Sequence, residues 1–352
     1  MSVNYYFKKT FIAFFITITL VISVAGFELI GRPLNLTERY DADFKFYVHN
    51  VDNDSLIVYN QEDALLMWSP QPNYSDGKIH INSQGFRDKE YSIKKPKNTF
   101  RILCLGDSST FFGSYHSLLE DNLNNDFISQ HTHFEIINAG VTGYTSYQGL
   151  CMYKYKGARY SPDIVTFYFG INDPIKRFYL SDKEILQEKI PAIVKIIKNR
   201  FLLKLESYRL IRKFINNISK KEKISWRENV PRVSLSDFRE NVLNLRRLCE
   251  QNGALLIIIS PPLCKEISLG WRRTPDIIMY RKELKNISTE YKIPYIEIKE
   301  MTERSQLPTM QYFKGLVHPN ELGHELIMQR LYDYLITHNL LPIPERRSRV
   351  TS

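Results

Sequence analysis

Apolar residues follow three different patterns along this chain. The first is a continuous run from Thr10 to Phe27, uncharged and preceded by Lys8 and Lys9. Extended to Ile30 as a helix, it would reach about 30 Å, enough to cross a bilayer's hydrocarbon core. Lys8 and Lys9 would stay cytoplasmic and everything after Arg32 would lie outside. A removable signal peptide competes with this reading, because Ser23-Val24-Ala25 resembles a small-x-small cleavage site; the length of the run favours an uncleaved anchor. Either way the remainder of the chain is exported.

The second pattern is the short apolar run of strand length. Arg101-Ile102-Leu103-Cys104-Leu105, Phe134 to Asn138, Ile164 to Phe169 and Ala254 to Ile259 fit strands buried on both faces, and Pro294 to Ile296 is a weaker fifth. The third pattern has helical spacing, at Tyr147–Tyr155, Ser236–Gln251, Pro275–Tyr291 and Asn320–Thr337. Strands alternating with helices imply an α/β fold with a parallel sheet covered on both faces. Ahead of this core, residues 33–99 are turn-rich. Alternation in Lys78 to Asn82 suggests one strand there, followed by a turn over Asn82 to Arg87.

Such a sheet gathers the loops that follow its strands along one edge, and those loops hold the chemistry. Gly106-Asp107-Ser108 ends the first strand and Ser109 to Phe112 starts a helix. Ser108 is placed either as a nucleophile beside the positive end of that helix or as part of a plain helix cap with Asp107. After the next strands come Asn138 to Ser146, which includes Gly143, and then Gly170-Ile171-Asn172-Asp173. His318-Pro319-Asn320 precedes the last helix. A glycine admits close approach to a backbone N–H, an asparagine amide donates to an oxyanion, and a histidine takes a serine proton. Together, in this order at strand ends, they favour the nucleophile over the cap.

Composition narrows the class. The 352 residues include 43% hydrophobic and 24% charged positions, an ordinary globular balance. Cys104, Cys151, Cys249 and Cys264 form no CxxC pair and read as buried thiols rather than a disulfide framework. No cluster has metal-ligand spacing and there is neither GxGxxG nor a P-loop, so no metal or cofactor is expected. Between Lys176 and Arg227 there are 15 Lys and Arg against 5 Asp and Glu, an excess equal to the whole formal charge of +10. Within that stretch Ile190, Ile193, Val194, Ile197, Phe201, Leu202 and Leu205 recur at helical spacing. The segment reads as a basic roof over an anionic substrate, as a helix resting on the membrane, or as a solvated flap. Nucleic acid does not suit an exported chain.

With these residues in order, the sequence resembles the SGNH, or GDSL-type, hydrolase superfamily from about Trp68 to Leu335. The element at Asn82 to Arg87 and the N-terminal anchor are similar to a bacterial membrane-attached branch. The resemblance implies a flavodoxin-like three-layer α/β/α sandwich with a mainly parallel sheet. It implies Ser108 as nucleophile, His318 as general base, and an oxyanion hole formed by the Ser108 and Gly143 amides and the Asn172 side chain, with Asp107 in support. The expected organisation is an anchor at 1–32, an extension at 33–99, the hydrolase domain at 100–340 with a basic helical insertion at 174–233, and a tail at 341–352. One position departs from the family pattern: Gly315 stands where an aspartate normally precedes the histidine by three residues. Another acid (Glu303, Asp173 and Asp107 are nearest in sequence) or a backbone carbonyl would have to orient His318. The expected function is an extracytoplasmic serine esterase acting on an O-acyl ester, such as an O-acetyl, of a glycan or lipid. The alternatives are O-acyl transfer to a glycan, or a weakened glycan-binding or assembly protein.

Overall fold

The computed structural model describes residues 3–34, 59–127, 131–178, 180–186, 191–219, 230–268, 274–302, 304 and 306–342. Ile190, Glu303 and the tail beyond 342 lie outside them. The described residues form two compact units. One is built on the helices α1 (Val3–Leu34), α5 (Ala192–Arg200) and α6 (Glu206–Ser219), with residues 61–68. The other holds the central sheet.

That sheet has five strands, β1 (Thr99–Gly106), β2 (His133–Gly140), β3 (Ile164–Tyr168), β4 (Leu255–Ile259) and β5 (Tyr295–Ile296). They pair in the order β2-β1-β3-β4-β5, and every pairing is parallel. All five expected strands are present, within two residues of their expected limits.

Both faces of the sheet are covered, which is why its strands read as unbroken apolar runs rather than alternating ones. Ile102 and Cys104 of β1 share a core cluster with Phe134 and Ile136 of β2, packed against Tyr115, Leu119 and Leu123 of α3 (Tyr115–Asp126) and Ile327, Leu331 and Leu335 of α9 (Glu321–Thr337). On the other face lie α4 (Ser146–Tyr155), α7 (Leu235–Gln251) and α8 (Thr274–Tyr291). There Phe167 meets Phe238 edge-on at 6.1 Å, and Phe238 meets Tyr280 at 5.0 Å. All four cysteines are buried free thiols. Burial pushes Cys104 and Cys249 up to about 12, so neither is a thiolate near neutral pH.

Arg101 interrupts the apolar pattern of β1 yet is fully buried. Its guanidinium bonds to Glu135 on the neighbouring strand at 2.5 Å and to the carbonyls of Ser92, Ile93 and Tyr160 at 2.6, 3.2 and 2.8 Å. The segment before β1 is thereby fastened to the sheet. Lys78 to Asn82 is not a strand. The Asp76 carboxylate captures the Lys78 and Ile79 amides at 2.9 and 2.8 Å, which closes a turn and leaves one isolated bridge, Ser75 to His80. The turn at Asn82 to Arg87 does form, with Asn82 Oδ1 accepting from the Gln84 and Phe86 amides.

Candidate active site

Gly106, Gly140 and Tyr168 stand abreast at the carboxyl ends of β1, β2 and β3. The strand order reverses at β1, so the ligand crevice of such a sheet opens between β1 and β3. Ser108 comes two residues after β1 and starts the short helix α2 (Ser108–Phe111). Asp107 caps that helix, its carboxylate accepting from the Ser109 amide at 2.9 Å. A Cβ on Gly106 would lie 2.0 Å from Thr110 Oγ1, so glycine is what lets α2 fold back so closely on the strand.

His318 arrives from the loop before α9. Its Nε2 lies 2.8 Å from Ser108 Oγ across 210 residues of sequence. Three backbone contacts hold that loop on either side of the imidazole. Lys314 N donates to His318 O at 2.7 Å, Cys264 N to Leu316 O at 2.9 Å, and Ser109 Oγ to Val317 O at 3.3 Å. Asn320 then caps α9 through Gly323 N and ties back to Gln311 O, which fixes where the loop ends. Gly315 has φ +86°, and a Cβ there would meet nothing within 4 Å.

Asn172, four residues after β3, bonds through Nδ2 to Tyr144 O at 3.0 Å and lies 3.5 Å from Asp107 Oδ2. It therefore joins the loops that follow β1 and β2. Gly143, beside Tyr144, takes φ +72°. The structure thus brings Ser108 and His318 into direct contact and gathers Asp107, Gly143 and Asn172 into the adjoining loops. Asp107 and Asp173 are both buried, and each is held by an amide: Asp173 Oδ1 accepts from Ser146 N at 2.9 Å. Burial pushes the Asp107 carboxyl up to about 7 against the pull of the Ser109 amide, with nearby Asp173 adding to the rise. Burial likewise raises Asp173 to about 6. His324 is buried, stacked near Tyr115, and burial lowers it to about 4, consistent with a packing residue.

Sequence reasoning missed two groups here. Arg232 and Asp182 are both fully buried and paired at 2.9 and 3.1 Å. Arg232 also donates to Gly143 O at 2.6 Å and Gln148 Oε1 at 2.7 Å, while Asp182 accepts from Thr145 Oγ1 at 2.7 Å. Together they grip the Gly143 loop. In the sequence Arg232 is one more base after a stretch holding fifteen; only its place between Pro231 and Val233 sets it apart. Arg87 is the other, donating to Phe111 O at 2.8 Å where α2 ends, its guanidinium 5.6 and 5.8 Å from the Phe111 and Phe112 rings. Next to it, Asp88 Oδ2 accepts from the Asn138 amide at 2.8 Å.

Among the described residues no group of His, Cys, Asp and Glu has the makings of a metal site. The fold is similar to a GDSL-like lipase from Bacteroides thetaiotaomicron, at 15% identity over 70% of this chain and 93% of that one with a TM-score of 0.40. It is also similar to an acetylxylan esterase from Geobacillus stearothermophilus, at 15% identity over 67% and 94% of the two chains with a TM-score of 0.45. Curated proteins yield no match. The profile of the GDSL-like Lipase/Acylhydrolase family matches residues 104–326, running from within β1 into α9. The chain belongs to that family and is a hydrolase acting on ester bonds.

Proposed function

We propose that this chain is an extracytoplasmic serine esterase that removes an O-acyl group, with Ser108 as nucleophile and His318 as base. The observation that carries the reading is the 2.8 Å separation of Ser108 Oγ and His318 Nε2, which is within reach for direct proton transfer. His318 takes the hydroxyl proton as Oγ attacks the acyl carbon, and the carbonyl oxygen becomes an oxyanion. The Ser108 and Gly143 amides stabilise that charge, joined by the Asn172 N–H that is not given to Tyr144 O. Collapse expels the alcohol, which takes the proton from His318. Water then repeats the sequence on the acyl-enzyme and releases the acid. Asp107 supports the nucleophile turn through its bond to Ser109 N.

Gly315 leaves the imidazole without the usual aspartate three residues earlier, and the backbone contacts around His318 supply its positioning in this reading. A helix that is apolar over Phe11–Ile30 supports attachment to a membrane, and Lys8 and Lys9 ahead of it support a catalytic part on the outer side. The test is hydrolysis of p-nitrophenyl acetate by the full chain beside Ser108→Ala and His318→Ala. Both variants should fall by at least about 10³-fold, and a fluorophosphonate should add its mass to the wild type but not to Ser108→Ala. Equal rates for wild type and Ser108→Ala would refute the assignment.

A further inference from the structure

The unit built on α1, α5 and α6 contains a buried carboxylate in an unusual place. The apolar span of α1, Phe11–Ile30, is 20 residues long with mean hydropathy 2.2, about 30 Å at helical rise. Both of its threonine hydroxyls are satisfied internally, Thr17 Oγ1 donating to Ala13 O and Thr19 Oγ1 to Phe15 O, both at 2.8 Å, as suits a helix in hydrocarbon. Glu28, two residues before the span ends, is only 9% exposed. Its carboxylate accepts from Glu206 N at 3.0 Å and from Ser207 N and Ser207 Oγ at 2.9 Å each. Glu28 therefore caps α6 from another helix, where a negative charge suits the exposed amides of a helix start. The start of α6 is pinned at the level where α1 leaves its apolar span.

α5 and α6 are held to one another as well. Glu62 lies 3.5 Å from Lys198 of α5 and 2.5 Å from Arg212 of α6. Asn199 of α5 bonds to Asp63 Oδ1 and Ala64 N, both at 2.7 Å. This pair of helices leaves large apolar side chains open. Phe201, Ile211 and Phe214 are 59%, 61% and 68% exposed, and Ile193, Val194 and Ile197 are exposed along α5. Arg200 and Lys204 stand exposed beside Phe201. Residues 191–219 hold seven Lys and Arg and one Glu. Apolar faces edged with bases have little to gain from water, but they match the acyl–headgroup boundary of an anionic bilayer.

We propose that α5 and α6 form a platform lying in the outer headgroup layer of the bilayer that α1 crosses, Phe201, Ile211 and Phe214 reaching the acyl boundary and Arg200 and Lys204 meeting anionic lipid. This rests on the reading that α1 stays in the membrane. The partner is the lipid surface itself; a second copy of the chain on the same face is the alternative the test must expose.

The test uses the full chain in phosphatidylcholine vesicles with and without phosphatidylglycerol. Single cysteines are introduced at Phe15, Phe201 and Phe214 and spin-labelled, the native cysteines being buried. Accessibility to oxygen, which partitions into lipid, is compared with accessibility to a water-soluble nickel chelate. Labels at 201 and 214 should show chelate accessibility roughly fivefold below that of free label in water, with oxygen accessibility raised, and both effects should deepen with phosphatidylglycerol. Arg200→Glu with Lys204→Glu should undo the deepening. Glu28→Ala should release 214 to the chelate while 15 stays in lipid. The proposal fails if 201 and 214 are as open to chelate as free label while 15 is protected. It fails in favour of a protein partner if both labels are shielded from oxygen and chelate alike. Chelate access at 15 would overturn the membrane reading and the platform with it.

Discussion

Replacing Arg232 by methionine removes the positive half of a buried pair and leaves three acceptors behind. Asp182 loses both of its bonds to the guanidinium, Gln148 Oε1 loses one, and Gly143 O loses the 2.6 Å contact that orients its peptide. An uncompensated buried charge costs about 3–5 kcal/mol and an orphaned carbonyl about 1–3 kcal/mol. A loss of about 4 kcal/mol is therefore expected for R232M in thermal unfolding of the detergent-solubilised chain. Adding Asp182→Leu removes the stranded charge and should recover more than half of that loss, because a buried pair exchanged for apolar groups is often nearly neutral. Catalysis should not recover with it. With Gly143 no longer held, kcat for p-nitrophenyl acetate should fall about 10- to 100-fold with KM little changed, since an oxyanion donor acts only as the charge develops. A double variant that regains stability and turns over like wild type would show that the Gly143 loop needs no guanidinium. An R232M protein as stable as wild type would refute the energetic argument altogether.

Three further expectations concern neighbouring residues. Gly315→Asp should not accelerate the reaction, because φ +86° disfavours a side chain by about 1–2 kcal/mol and the new Cβ would start in open space; a tenfold gain in kcat would contradict this. Arg87→Gln should lower kcat about tenfold and stability by about 2 kcal/mol through the lost bond to Phe111 O, and unchanged unfolding and turnover would count against it. His116 and His324 are both held at about 4, chiefly by burial, so each contributes stability that is complete above the unfolded value near 6.5 and shrinks as pH falls towards 4. Asp107 and Asp173, raised to about 7 and 6, act in the opposite sense, their contribution complete below the unfolded value near 4 and lost as pH rises through 6 and 7. His324→Phe, which keeps a ring near Tyr115, should therefore tilt stability towards low pH. Denaturant midpoints at pH 5 and pH 8 that move equally would refute it.

The strands were legible because a sheet covered on both faces demands unbroken apolar runs, and the site loops because each begins where such a run stops. Ser108, Gly143, Asn172 and His318 were placed by that rule together with the family pattern. Arg232 and Asp182 obey neither. A buried ion pair looks like surface charge until its partners are known, and Asp182 and Arg232 are 50 residues apart. Arg87 was hidden for a related reason, since its acceptor is a backbone carbonyl and any residue supplies one. Lys78 to Asn82 alternates like a strand yet is not one, because the Asp76 side chain claims two of the amides a strand would need.

The pair also sits at a neck. Lys176 and Phe178 pair antiparallel with Pro231 and Val230, and just beyond them Asp182 and Arg232 clasp, the Asp182 amide bonding back to Arg232 O at 2.8 Å. A loop closed this firmly at its base is insulated from its own length, because each doubling of a flexible loop adds only about 0.6 kcal/mol of closure cost. A change of length between the two sides of the neck should therefore cost little at the neck itself. Gly143 stays gripped by Arg232 whatever that length is.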